Sequence, residues 1–347
     1  MPFGIPPEVI AVGFFFGGLA VVLVSVEVFI ETAAETALEF GVSAFFLTAV
    51  LAGADVENTV IGLAAVYEEL PGLAIGTVFG EALFILTVAV GLSGLLTPFE
   101  TVVPHSYILL TVGSPVLLIV FALDGTLSQF DGAILTLAFV PAFGAIYALE
   151  RNRETRYLAS EEVEEALGDD HDSDDTDARA DGSREPPADA SVRQRFETRY
   201  GGYYKLGVLV LAAAGMTVGS EITVTGAEEL LVVFGVTGAA FGATVVGLIS
   251  SIEELFLTVE PVREGRPDIG IGNVVGSMLF FVTANAGVIA LVRPIPMGSA
   301  VFSVHFPFYI AALLLVGIIL WRGSVERVDG VVLLGMYVAY WGANYLL

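Results

Sequence analysis

The feature that most constrains this chain is a succession of apolar runs, each long enough to cross a lipid bilayer. Of its 347 residues 55% are hydrophobic and only 15% are charged, and the mean hydropathy is +0.81. A membrane-spanning helix needs roughly 17–25 apolar residues. The sequence therefore predicts an all-α polytopic membrane protein with about ten transmembrane helices, near residues 8–29, 38–66, 72–95, 104–123, 131–149, 204–225, 228–260, 268–292, 300–321 and 329–346.

The charge balance excludes several classes of function. With 14 basic and 39 acidic residues the formal net charge is −25, so the chain should repel nucleic acid. The absence of cysteine excludes disulfides, thiolate nucleophiles and sulfur-ligated metals. We expect no cofactor and no obligate protein partner, only cations as substrates and the bilayer as surroundings. So large an acidic surplus is typical of a high-salt host.

The distribution of basic residues predicts the orientation. Residues 150–203 are rich in Asp, Ser and Pro, as expected of an acidic disordered linker. With the N-terminus outside, 13 of the 14 basic residues fall on the cytoplasmic side, together with this linker, and only Arg293 does not. The chain should therefore lie in the plasma membrane as two five-helix units, 1–149 and 204–347, joined by the linker.

The two units resemble each other. Residues 74–87 read AIGTVFGEALFILT and residues 270–283 read GIGNVVGSMLFFVT, with seven of 14 positions identical at an offset of 196. Five spans is an odd number, so the second unit must start from the opposite side of the membrane. The sequence thus predicts two inverted five-helix repeats.

Both repeats carry acidic residues in the middle of apolar spans: Asp55, Glu57, Glu81, Glu253 and Glu254. Left facing lipid, five such residues would cost on the order of 10–15 kcal/mol. No basic residue inside the spans neutralises them, so bound cations or protons must do so. Carboxylate, amide, hydroxyl and carbonyl oxygens are the ligands that calcium prefers, and sodium can use a subset of them. The pattern therefore favours cation transport.

The second repeat resembles the cation/calcium exchanger superfamily, whose signatures are G-T-S-x-P-E on one helix and G-N-x-x-G-S-N on the next. Ser250-Ser251-Ile252-Glu253-Glu254-Leu255 matches the first, with Glu253 in place of proline. Gly272-Asn273-Val274-Val275-Gly276-Ser277 matches the second up to its final Asn, where Met278 stands. The resemblance implies cation ligands near the membrane midplane at Ser251, Glu254, Asn273 and Ser277.

The first repeat departs further from these signatures. Asn58 stands at the acidic position after Glu57, and Thr77 and Glu81 replace Asn and Ser of the second signature. Residues 53–57, Gly-Ala-Asp-Val-Glu, are similar to the shorter G-N-x-x-E of the proton-coupled branch. We include Asp55, Glu57, Asn58, Thr77, Glu81 and Glu253 among the candidate ligands. Structural hydrogen bonds within the helix bundle are the alternative for each of them.

The resemblance implies a secondary antiporter, not an enzyme, that exchanges Ca²⁺ for Na⁺ (or H⁺) by alternating access, with helices one and six moving against helices two, three, seven and eight. The first alternative is a proton-coupled exchanger of Ca²⁺ or another divalent cation. An intramembrane hydrolase is a remote alternative, because the E-E-x-x-x-R pattern of glutamate-type membrane proteases has Leu257 where its Arg should stand. A passive cation channel is the other, and inverted repeats disfavour it.

Overall fold

The computed structural model describes residues 6–39, 56–150 and 192–346. This part of the chain is almost entirely helical. Its helices are α1 (Pro7–Glu39), α2 (Val56–Tyr67), α3 (Pro71–Leu96), α4 (His105–Ala122), α5 (Gln129–Glu150), α6 (Val192–Phe234), α7 (Gly238–Ser250), α8 (Ile252–Arg263), α9 (Pro267–Val292), α10 (Val301–Arg322) and α11 (Arg327–Leu346). Four two-residue strands connect them, β1 (Phe99–Glu100), β2 (Thr126–Leu127), β3 (Ile295–Pro296) and β4 (Ser324–Val325).

The order of elements repeats itself in the two halves. Helices α3 and α9 both begin at a proline, and each contains a π-helical turn at the matching place, Ile85–Ala89 and Phe280–Asn285. Each is followed by a short strand, a spanning helix, a second strand and a final helix. The elements therefore show the internal repeat that the sequence predicted.

The strands pair between repeats rather than within them. Strand β1 pairs antiparallel with β4, and β2 pairs antiparallel with β3. Helix α4 separates β1 from β2 by 18 residues, or about 27 Å of helix. The two ribbons therefore lie at opposite ends of the bundle and tie the repeats together on both faces, as an inverted arrangement requires.

Matching glycines allow the repeats to interlock. The fourth residue of α5 is Gly132 and that of α11 is Gly330. A Cβ on Gly330 would lie 2.5 Å from the carbonyl oxygen of Gly91 on α3, and one on Gly132 would lie 2.7 Å from that of Gly287 on α9. Each final helix thus crosses the third helix of the other repeat at backbone contact, which only small residues allow.

The boundary between the sixth and seventh spans differs from the prediction. Hydropathy placed the sixth span at 204–225, but α6 continues to Phe234, since Glu228 and Glu229 are exposed on its surface and do not end it. The helix ends where Gly235 adopts a left-handed φ of 65°, a conformation that glycine accepts without strain. Thr237 then caps α7, its hydroxyl oxygen accepting the Ala240 N–H at 3.2 Å.

Two further helix boundaries also make the helix longer than predicted. Helix α1 continues to Glu39, beyond the predicted end at residue 29, and α6 begins at Val192, inside the predicted linker. The rest of the linker, residues 151–191, lies outside the described residues, so its predicted disorder stays a prediction.

Six described helices are long and apolar enough to cross a membrane. Helices α7 and α8 form a further span that is bent by 48° at a short break. Of the second span only α2 is described. Helix α2 and the apolar part of α5 are shorter apolar helices.

Candidate cation site

Helices α3 and α7 cross at the centre of the described bundle with their backbones in contact. A Cβ on Gly80 would lie 2.6 Å from the carbonyl oxygen of Ala243, and one on Gly247 would lie 2.8 Å from the Cα of Gly80 and 3.0 Å from the nitrogen of Glu81. The last turn of α7 therefore rests on the backbone that carries Glu81.

The break between α7 and α8 exposes a hydroxyl that the helix does not use. Ser250 donates its hydroxyl to the carbonyl of Val246 at 2.8 Å. Ser251, with φ −89° and ψ 13°, is fully buried, and its Oγ has no hydrogen-bond partner among the described residues. A buried hydroxyl without such a bond is costly in an apolar interior. Ser251 is thus the better candidate ligand of this serine pair.

The paired acids after the break point in different directions. Glu254 is 7% exposed, whereas Glu253 is exposed on the helix surface. Neighbouring residues on a helix are about 100° apart. Ser251 and Glu254, three residues apart, share the buried face. The structure therefore groups Glu254 with Ser251 and separates the predicted ligand Glu253 from both.

The first turn of α2 contributes a second acid. Glu57 is 6% exposed and Asn58 is 1% exposed, and both begin a buried stripe that continues through Ile61 and Ala65. The predicted ligand Asp55 lies outside the described residues.

The remaining predicted ligands lie on α3 and α9. Glu81 is completely buried, and Thr77 is buried with its hydroxyl donating to the carbonyl of Leu73 at 2.9 Å. Ser277, which matches Glu81 in the second repeat, is also buried. Asn273 is half-buried and donates to the Thr258 hydroxyl on α8 at 3.3 Å, so it bridges two helices in this structure.

The electrostatics of the region are one-sided. Helices α2, α3, α7 and α9 contain no lysine or arginine, and α8 contains one arginine, Arg263, at its last residue. Among the described residues no three His, Asp or Glu side chains come close enough to hold a metal together. The buried acids Glu57, Glu81 and Glu254 are instead distributed over three helices, so a bound cation would also need neutral oxygen ligands around it.

One buried polar residue was missed by the sequence analysis. Asn285 ends the π-helical turn of α9, is fully buried, and accepts a hydrogen bond from the Thr59 hydroxyl on α2 at 3.2 Å. The available signal was a lone amide within the apolar stretch that follows Ser277.

Relatives match nearly the whole length of the chain. The inner membrane protein YrbG of Escherichia coli is 25% identical over 95% of both chains. The sodium/calcium exchanger MaX1 of Methanosarcina acetivorans is 26% identical over 93% of this chain and 95% of its own. The solved structure of the sodium-calcium exchanger NCX_Mj matches with a TM-score of 0.53 and 21% identity, covering 96% of this chain and 97% of that chain. This structural likeness confirms the predicted fold of two inverted five-helix repeats.

A family model described as sodium/calcium exchanger protein matches residues 10–144 and 204–346. Those ranges cover most of both halves of the chain and leave out the central acidic stretch. The chain is therefore a multi-pass membrane transporter rather than an enzyme, and it belongs to the sodium/calcium exchanger family.

Proposed function

We propose that this protein is a secondary active antiporter that moves Ca²⁺ across the plasma membrane in exchange for Na⁺ at a site near the midplane. The observation that carries the proposal is the burial of three acids, Glu57, Glu81 and Glu254, within apolar helices of the bundle. An acid in the middle of a membrane span costs roughly 2.5–3.5 kcal/mol. Cations that bind among them remove that cost, and different cations compete for the same negative charge.

The proposed ligand set combines acids with neutral oxygens. Calcium takes about six to eight oxygen ligands, more than three separated carboxylates supply. We propose that hydroxyl, amide and backbone oxygens from the break at Ser251 and from the first turns of α2 and α8 supply the rest. We assign the ion to Asp55, Glu57, Asn58, Thr77, Glu81, Ser251, Glu254, Asn273 and Ser277, and leave out Glu253 because it is exposed.

The first repeat carries a second buried acid on α3, where the second repeat has a serine. In the second repeat the acid is Glu254 on α8, and the α9 position is Ser277. In the first repeat the position matching Glu254 is Asn58, and the α3 position matching Ser277 is Glu81. Glu81 on α3 thus adds a charge to the first repeat beside the one that Glu57 supplies on α2.

Alternating access requires one part of the bundle to move against the site. Helices α1 and α6 pack along each other through glycines, with a Cβ on Gly18 falling 2.5 Å from the nitrogen of Thr223 and one on Gly219 falling 2.9 Å from that of Val22. We propose that this pair moves as a unit against the tight α3–α7 crossing. The distribution of basic residues supports an orientation in which the N-terminus lies outside. The cytoplasmic side then carries Arg263, Arg266, Arg322 and Arg327.

Sodium is the favoured counter-ion because an acidic protein of a high-salt host has a large sodium gradient available. The Gly53–Glu57 pattern keeps proton coupling as the second candidate. In that case Glu57 would be the leading proton carrier, and the transported ion could be another divalent cation.

The test is ⁴⁵Ca²⁺ uptake into proteoliposomes with the voltage clamped by potassium and valinomycin. An outward sodium gradient is compared with an outward proton gradient and with no gradient. Glu254→Gln and Glu57→Gln remove one acid from each repeat at constant size, and the exposed Glu253→Gln is the matched control.

The proposal is supported if uptake is driven by sodium, if Glu254→Gln and Glu57→Gln both abolish it, and if Glu253→Gln stays within about twofold of the wild-type rate. The loss of one buried carboxylate should lower uptake by well over tenfold. Proton-driven uptake moves the protein to the proton-coupled branch. Flux that needs no counter-ion gradient indicates a channel. The absence of calcium flux under every gradient refutes the assignment of Ca²⁺ as the transported ion.

A further inference from the structure

Helices α2 and α9 are joined by a polar contact next to the candidate site. The Thr59 hydroxyl donates to the Asn285 side-chain oxygen at 3.2 Å, between residues 226 positions apart. Thr59 follows directly on Glu57 and Asn58, and Asn285 is completely buried. A hydroxyl both donates and accepts, so the bond survives either orientation of the amide.

The same two helices stay in contact farther from the site. A Cβ on Gly62 would lie 2.5 Å from the Cδ1 of Ile289, and the guanidinium of Arg293 donates to the carbonyl of Val66 at 3.3 Å. The contacts advance by about one turn on each helix, so α2 and α9 run side by side in one fixed register. The Thr59–Asn285 bond is the innermost contact of this seam.

The repeat symmetry does not produce this bond. At the offset of 196 residues, Asn285 corresponds to Ala89 on α3 and Thr59 corresponds to Leu255 on α8. The matching seam between α8 and α3 therefore lacks the side chains to form it. The bond is a feature of the first repeat's acidic helix alone.

A hydrogen bond at Thr59 resists rotation of α2 about its own axis. Successive residues on a helix differ by about 100°, so Thr59 faces α9, Asn58 lies at the centre of the buried stripe, and Glu57 lies on the far edge. If α2 rotated about its axis by one residue position, the carboxylate of Glu57 would replace the amide of Asn58 at the centre of that stripe. The rotation of α2 therefore decides which oxygens face a cation.

We propose that Asn285 is a positioning residue: by holding Thr59 it fixes the rotation of α2 and so the placement of Glu57 and Asn58 toward the transported cation. Asn285 itself does not contact the ion. The inference rests on the proposed function, because only a transported cation would sense this placement. It adds a residue outside the predicted ligand set and an asymmetry between the two repeats.

The test uses substitutions that keep side-chain volume. Asn285→Leu and Thr59→Val each remove the bond, and the pair removes both partners; replacing polar partners by apolar groups of the same shape costs little folding stability. Thr59→Ser keeps the hydroxyl. Thr283→Val is the matched control, since its hydroxyl lies in the same π-helical turn but donates to the Leu279 carbonyl of its own helix.

The measurements are the half-saturating concentrations for Ca²⁺ and for Sr²⁺ in sodium-driven uptake, and the maximal rate. One hydrogen bond of ordinary strength corresponds to a rise of about three- to tenfold in the half-saturating Ca²⁺ concentration. We expect that rise in Asn285→Leu and in Thr59→Val, and no larger rise in the double variant. The Ca²⁺/Sr²⁺ ratio should change as well, because displaced ligands alter the size of the site. Thr59→Ser and Thr283→Val should stay within twofold of wild type.

The outcomes separate the two proposals. A wild-type protein without calcium flux refutes the proposed function. Normal wild-type flux with unchanged half-saturation and ion ratio in Asn285→Leu and Thr59→Val refutes the positioning role alone, as does an equal change in Thr283→Val. If Asn285→Leu fails to fold, the comparison of Thr59→Val, which lacks the hydroxyl, with Thr59→Ser, which keeps it, decides whether the bond positions α2.

Discussion

The tight crossing of α3 and α7 makes a single methyl group a sensitive probe of the site. In Gly80→Ala the new Cβ would stand 2.6 Å from the carbonyl oxygen of Ala243 and 2.8 Å from its Cα. Ordinary contacts begin at 3.4 Å, so the helices must separate by about 0.8 Å at this point. Both nearest atoms are backbone, so no flexible side chain can make room.

The cost of that separation follows from the packing. Inserting a methyl group into a well-packed interior destabilises by about 1–3 kcal/mol. Because Glu81 follows Gly80 directly and its nitrogen lies under Gly247, the same displacement moves the buried carboxylate away from the break at Ser251. We therefore expect Gly80→Ala to lower the thermal unfolding midpoint and to raise the half-saturating Ca²⁺ concentration together.

The assay compares Gly80→Ala with Gly13→Ala, which adds the same methyl group to α1, where nothing lies within 4 Å of the new Cβ. Alanine is the better helix former by about 0.5–1 kcal/mol, so Gly13→Ala should leave stability unchanged or raise it. Thermal unfolding in detergent and uptake in proteoliposomes are measured for both. If Gly80→Ala behaves like Gly13→Ala in both assays, α3 and α7 do not cross at backbone contact and the reasoning is refuted.

Three further predictions concern single side chains. Ser251→Ala should raise the half-saturating Ca²⁺ concentration about three- to tenfold. Ser250→Ala loses only a hydrogen bond to its own helix and should leave that concentration unchanged. Titrating uptake against Ca²⁺ checks both expectations. Tyr340→Phe removes the hydroxyl that lies 2.8 Å from Nδ1 of the buried His305, so we expect a loss of about 1–3 kcal/mol in unfolding free energy; wild-type stability in this variant would contradict the contact. Glu69→Gln breaks the exposed ion pair with Arg293 at 3.6 Å and leaves the bond from Arg293 to the Val66 carbonyl in place, so it should cost less than about 1 kcal/mol and less still in high salt, as denaturation at two ionic strengths would show.

The fold was predictable to the extent that hydropathy and internal repetition carry it. The repeat in residues 74–87 and 270–283 anticipated the matching order of helices in the two halves, but not the π-helical turns or the short strands that pair between the halves. Helix ends were less predictable, because hydropathy falls at Glu228 and Glu229 while the helix continues to Phe234. There the end is set by the backbone conformation of Gly235 and the cap at Thr237, which hydropathy does not register.

The site was predictable by residue type and less so by direction. Mid-span position alone identified Glu57, Glu81 and Glu254, all of which are buried. The difference between Ser250 and Ser251, or between Glu253 and Glu254, depends on where the helix breaks and which side then faces inward. Asn285 was missed because its importance comes from Thr59, which lies 226 positions away and becomes a neighbour only when α2 packs against α9.

We propose that calcium and sodium compete for one set of buried oxygens. Equilibrium ⁴⁵Ca²⁺ binding to the purified protein, repeated over a series of Na⁺ concentrations, tests this competition, with Glu254→Gln measured in parallel. We expect Na⁺ to raise the apparent Kd for Ca²⁺ without changing the number of sites, and we expect Glu254→Gln not to bind Ca²⁺. Calcium binding that is indifferent to Na⁺, or that persists unchanged in Glu254→Gln, would contradict it.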